Sequence, residues 1–169
     1  MNVLEAILSR RSVRKFTNEP VTTDEIKELI KYAMFAPSAV NKQPWHFIII
    51  DNRHIMEEVV KFHPHAAMLL QAAAAVLICG DEELAHTSAY WPVDCSAATQ
   101  NFLLAAHGKG LGAVWLGIYP REERISAMKA LMNLPEHIHP FSLIALGHHS
   151  QEPRIPDRYK PERIHLNKW

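Results

Sequence analysis

Six consecutive apolar residues, Ala74-Ala75-Val76-Leu77-Ile78-Cys79, end at Gly80-Asp81. A run this short, with no polar alternation, suits a strand covered on both faces, so other layers must lie above and below it. Three further segments read as strands: Trp45 to Ile50, Ala113 to Ile118 and Pro140 to Gly147. The helical segments are more numerous. Residues 2–9 form a short one, and Thr22-x-x-Glu25 is a capping box ahead of Ile26, Leu29, Ile30, Ala33 and Met34 at helical spacing. Residues 53–62, 65–71, 94–107 and 121–132 complete the set, with Asp94 opening the 94–107 helix and Gly108 closing it. Residues 94–107 carry apolar character around most of their girth, which predicts a central, buried helix with a face for another subunit. Strands and helices do not alternate evenly, so the fold class is α+β rather than a doubly wound α/β sheet.

A chain of 169 residues fits one domain, 1–169, and buries a sizeable core. From His148 the composition turns to proline and arginine, so 148–169 is expected to be an extended tail along a surface, its own or a partner's. Lys+Arg and Asp+Glu are both 18, so no global field recruits nucleic acid or an anionic membrane. The longest apolar run is far short of the roughly twenty residues that span a bilayer. The N-terminus lacks a signal-type segment, and Cys79 and Cys95 form no C-x-x-C pair, so a soluble, cytoplasmic protein is expected.

The eleven histidines include the pairs His63/His65, His137/His139 and His148/His149, but none has the spacing of a helical metal-ligand pair and no Cys or acidic cluster accompanies them. No metal site is expected. The chain has no G-x-S-x-G elbow and no G-x-x-x-x-G-K-S/T loop, and no spacing singles out an acid/base pair. Gly108-Lys109-Gly110-Leu111-Gly112-Ala113 matches G-x-G-x-x-A, but a helix precedes it and a strand follows, the reverse of a dinucleotide fingerprint. Gly108 or Gly110 is instead the cap of the helix. Gly117, inside a strand, marks close approach of a ligand or another backbone.

Two stretches remain. Arg10-Arg11-Ser12-Val13-Arg14-Lys15-Phe16 places four cations and a hydroxyl together, either as a cradle for a phosphate or as a solvated face after a short helix. Residues 36–45 hold Ser38, Asn41 and Gln43 in a loop between helix and strand, either as ligand contacts or as mere connection. With no catalytic apparatus of its own, a chain with an anion cradle points to a cofactor that carries the chemistry.

Taken in order, Arg10 to Phe16, Ala36-Pro37-Ser38-Ala39-Val40-Asn41-Lys42-Gln43-Pro44-Trp45-His46-Phe47 and Gly110 to Pro120 resemble the flavin-dependent nitroreductase family in its short form. The resemblance implies a mostly antiparallel central sheet flanked by helices and an intertwined homodimer with FMN at the subunit interface. It also implies ping-pong hydride transfer from NADH or NADPH, through flavin N5, to a nitroaromatic, quinone or similar flat acceptor. By position, Arg10, Arg11 and Ser12 would hold the phosphate and ribityl chain, and Arg14 would lie at the pyrimidine edge. Pro37, Ser38 and Ala39 would come from the other subunit, with Asn41 and Gln43 in the same loop. Backbone N–H groups of Trp115, Leu116 and Gly117 would approach N5 and O4, and Arg158 would complete the phosphate site. Where some members have an Asn and a Lys, this chain has His65 and Met68, which leaves Arg14 as the main positive charge and His65 as a hydrogen-bond donor. Trp91 or Phe35 would flank a stacked acceptor. A non-catalytic flavin-binding sensor or carrier is the alternative.

Overall fold

The structure, a computed structural model, describes residues 1–151 and 155–169. Residues 152–154 of the expected tail lie outside the described residues.

β1 (Trp45–Ile50), β2 (Ala74–Asp81), β3 (Gly112–Gly117) and β4 (Ile138–Gly147) form one sheet in the order β1-β2-β4-β3, every pair antiparallel. The apolar run is central, and all of β2 is buried. Its alternate residues divide between two cores. Ala74, Val76 and Ile78 enter one with Phe102, Leu103, Ile26 and Leu29, and Ala75, Leu77 and Cys79 enter the other with Met56, Leu69 and Met128. The first core is covered by α2 (Thr23–Ala33) and α4 (Trp91–Gly108), the second by α3 (Arg53–Phe62) and α5 (Glu122–Met132).

α1 (Val3–Ser9) and α2 both begin with complete capping boxes, Asn2 with Glu5 and Thr22 with Glu25. α4 starts earlier than expected. Pro92 stands in its first turn, where a missing N–H costs nothing, so Trp91-Pro92 belongs to the helix and Asp94 lies inside it. Its far end is a Schellman cap: Gly110 takes φ +78°, its N–H donates to His107 O, and the Leu111 N–H donates to Ala106 O at 2.9 Å. Gly110, not Gly108, is therefore the capping glycine.

Three other expectations shift. Residues 65–71 give only a 3₁₀ turn, Ala67–Leu70. β3 ends at Gly117, so that glycine terminates the strand instead of interrupting it. β4 runs back through Pro140, which the ladder accommodates by an irregularity opposite Ile78/Cys79. The described tail residues 155–169 are exposed throughout, and so do not lie along this chain's own core. Among the described residues no helix is long and apolar enough to cross a membrane.

Candidate functional site

After α1 the chain runs along the edge of the sheet. Ser12 pairs with Ala113 in a parallel bridge, and the Val13 N–H donates to Ala113 O at 3.0 Å. Val13 is buried against the core, so extended backbone turns its neighbours Ser12 and Arg14 the other way, and both are exposed. The Thr17 N–H donates to His148 O at 2.8 Å, which ties the segment to the sheet a second time.

Behind this segment Arg10, Arg11, Val13, Leu103, His107, Leu111, Ala113 and His149 line one pocket, without a carboxylate among them. Burial, then the like charges of Arg11 and Arg158, push the Arg10 guanidinium below its ordinary value, so the tail's Arg158 comes close enough to act on it. Burial, then Arg10, His149 and Arg11, likewise lower His107. His149 Nδ1 is buried without a hydrogen-bond partner. Gly112 makes room for it, since a Cβ there would come within 2.8 Å of His149 Cδ2 and 2.7 Å of Val13 Cγ1. Like charges that repel one another, beside a sealed and unpartnered ring nitrogen, make a place for an anion.

His107 and His149 were not singled out from the sequence. His149 stood in a pair weighed only as a metal ligand, and His107 is the last-turn histidine of α4, a position that alone explains a cation.

The loop residues Pro37, Ser38 and Ala39 line a separate pocket with Tyr90, Val93, Asp94 and Ala97. Ala39 N–H donates to Asp94 Oδ1 at 2.9 Å, while Asp94 Oδ2 is buried without a partner. Ser38 Oγ accepts from the Gln43 N–H at 2.9 Å, and Gln43 Nε2 donates to Asn41 Oδ1 at 2.8 Å. The polar side chains thus brace the loop, whose Val40, Asn41 and Gln43 have φ of 51°, 56° and 51°. Asp94 and His107 stand at opposite ends of α4, thirteen residues and roughly 20 Å apart, so one chain does not bring the two pockets together.

At the end of β3 the Gly117 carbonyl accepts from Arg124 Nη1 at 2.8 Å and from His63 Nε2 at 3.1 Å. His63 Nδ1 accepts the His65 N–H at 3.3 Å, so the ring is neutral with its proton on Nε2. Burial holds its pKa below the ordinary value. The same peptide gives the Ile118 N–H to Phe141 O, so both its ends are fixed. A Cβ on Gly117 would meet nothing nearer than 4.0 Å, so this chain leaves the space above it open. Trp115 is half-buried and Leu116 buried. Neither His63 nor Arg124 was legible as a site residue.

His65 is exposed and Met68 half-buried against the second core. Trp91 is only 6% exposed, stacked on His139 with ring centroids 5.3 Å apart, and cannot flank a ligand, whereas Phe35 is 76% exposed. Burial pushes the Cys79 thiol up to about 12 and raises Cys95 as well, so neither is a nucleophile. Among the described residues no group of three or more His, Cys, Asp or Glu is placed to hold a metal ion.

The Nitroreductase family profile matches residues 7–79 and 63–148, from α1 to the end of β4. A protein of Methanothermobacter thermautotrophicus, provisionally named NADH dehydrogenase/NAD(P)H nitroreductase, is 46% identical over 100% of this chain and 88% of its own length. The crystal structure of a protein of the same provisional name from Parabacteroides distasonis superposes with a TM-score of 0.94 at 40% identity, covering 98% of both chains. A provisionally assigned nitroreductase from Desulfovibrio desulfuricans, crystallised in complex with FMN, gives 0.86 at 28% identity over 100% of this chain and 98% of its own. The four strands, the 36–45 loop and every lining residue of the cation pocket except His149 lie within the matched span, and the chain belongs to the nitroreductase family.

Proposed function

We propose that this chain is an FMN-dependent NAD(P)H oxidoreductase acting on a nitroaromatic, quinone or similar flat acceptor. The observation that carries the reading is the pocket of Arg10, Arg11, His107 and His149, whose described lining residues include no carboxylate and which lies near Arg158. It fits the phosphate of FMN by charge, by donor type and by the unpartnered His149 Nδ1. When bound, FMN supplies two-electron transfer between a nicotinamide and the acceptor.

The chain's own residues bind and orient. Arg10, Arg11, Ser12 and Arg158 hold the phosphate and ribityl end, and the exposed Arg14 offers positive charge to the pyrimidine edge. The Trp115–Gly117 backbone presents donors that need no reorganisation, because His63 and Arg124 hold the Gly117 carbonyl from behind. His65, exposed beside His63, is assigned a hydrogen bond to the ring. Phe35 stands free for an acceptor to stack on.

A second copy of the chain completes the site. α4 leaves Val93 exposed and Ala97, Leu104 and Ala105 half-buried, an apolar face for a twofold partner. Two α4 helices running antiparallel bring the Pro37-Ser38-Ala39 end of one against the Arg10-Arg11 end of the other, which removes the roughly 20 Å separation within one chain. Residues 1–169 then act as one FMN-binding domain, with Arg158 of the C-terminal tail at the cation pocket.

The test is the visible spectrum of the purified protein after FMN addition and desalting, followed by anaerobic NADH and then NADPH. Retained flavin bands that bleach with either nucleotide are expected. A protein that retains no FMN overturns the reading, and retained FMN that neither nucleotide bleaches reduces it to a carrier.

A further inference from the structure

We propose that His107 and His149 are anion-binding groups of the same pocket as Arg10 and Arg11, and that seating the phosphate of FMN there draws a proton from solvent onto His107. The inference rests on the FMN reading above and adds to it a coupling between cofactor binding and pH.

The geometry starts at Ser9. Its hydroxyl donates to Glu5 O at 2.6 Å, so its oxygen accepts from His107 Nε2, 2.7 Å away. The Nε2 proton of His107 is thereby committed to Ser9. The other nitrogen becomes a donor only when the ring is protonated. His149 Nδ1 is sealed from water with no partner, and it reaches this position because Gly112 has no side chain. A phosphate oxygen is an acceptor for an N–H on either ring, in a pocket whose described ionised lining groups are cationic.

The groups facing the pair are Arg10 and Arg11 from the segment after α1, with Arg158 of the tail acting on Arg10. Among the described residues, carboxylates near this end are engaged elsewhere: Glu5 accepts from Asn2 N–H, Glu19 stands 3.7 Å from His148, and Glu28 holds Lys109. Without an anion, burial and then the charge of Arg10 hold His107 below its ordinary value and favour the neutral ring. A phosphate dianion offsets the charge of the two guanidiniums and, as an opposite charge beside the ring, favours the imidazolium. The proton passes from buffer to imidazole, and no other bond is made or broken.

A phosphate monoester is dianionic above about pH 6, so the coupling is read between roughly pH 6.5 and 8. In that window FMN should bind the apoprotein more weakly as pH rises, by up to about tenfold per unit for one proton taken up. Riboflavin, which lacks the phosphate, should show no such dependence. Calorimetric titration of the wild-type apoprotein with FMN, in two buffers of different ionisation enthalpy, should report net proton uptake. The His107→Gln/His149→Gln variant should lose that uptake while Gln keeps a donor toward Ser9. FMN affinity that is flat across the window, with no proton uptake by the wild type, overturns the inference and leaves FMN binding intact. Absence of FMN binding at every pH overturns the FMN reading itself, and this inference with it.

Discussion

Arg10 and Arg11 differ in what surrounds them. Arg10 is pressed by burial and by two other guanidiniums, and Arg11 also turns to the Arg10 carbonyl, so the pair is held against its own repulsion by local structure. Arg11→Ala should cost about 1.5 to 3 kcal/mol of FMN binding, the range for a charged hydrogen bond. Fluorescence titration with FMN checks this, and an unchanged affinity removes Arg11 from the phosphate site. The histidines set a second expectation. His63 and His107 both have folded-state values below their ordinary 6.5, each held there first by burial. The unfolded chain therefore binds more protons in that range, and stability rises with pH. Their contribution is present above about pH 6.5 and is lost as pH falls through the folded-state values. Urea midpoints of the apoprotein measured from pH 8 to pH 5 should fall on the acid side, and a midpoint that rises there contradicts the neutral assignment of both rings. At this scale the sequence was half legible. Arg10 to Arg14 stood out as a dense cluster, but nothing in the order of residues joins His107 or His149 to it. That pairing is made by Gly112 and the α4 cap, which are tertiary facts.

Among the elements, α2 was the most legible because its start is written twice, in the capping box and in the apolar period. Thr22 Oγ1 accepts the Glu25 N–H at 3.2 Å, and the Glu25 carboxylate accepts the Thr22 N–H at 2.8 Å. Thr22→Ala should cost about 1 kcal/mol, or about 2 to 4 °C in melting temperature for a chain of this size. A thermal scan showing no shift would place the start of α2 under tertiary control. α4 starts earlier than the sequence implies because Pro92 reads as punctuation, and β4 starts two residues ahead of Pro140, the first residue of the strand in the sequence reading. Pro92 fits the first turn of a helix, and Pro140 fits a strand where the ladder slips. Both exceptions depend on which backbone N–H would have gone unbonded, and a single chain of letters does not carry that. Residues 65–71 failed for another reason: a short apolar segment under the sheet needs only one 3₁₀ turn to bury Leu69.

For the whole molecule, the antiparallel sheet and its two cores follow from one buried strand and the helices that must cover it. The separation of the two pockets does not. Sequence order placed Pro37 to Ala39 after Arg10 to Arg14 without showing that α4 holds the sets apart. If a second copy completes the site, light scattering should give a mass near twice the 19.2 kDa of one chain. The melting temperature should also rise with protein concentration, as mass action requires for a linked assembly. A concentration-independent monomer contradicts the shared site.

The cation pocket draws Arg10 and Arg11 from the beginning of the chain and Arg158 from near its end, so an anion gripped by all three would act as a reversible clasp between the termini. Like a crosslink, such a clasp closes a very long loop, and long loops are the ones whose closure restrains a loosened chain most. Unlike a disulfide, it fastens when the cofactor arrives and opens when it leaves. Cofactor loading would then be registered first in the ends of the chain, far in sequence from the buried strand around which it folds.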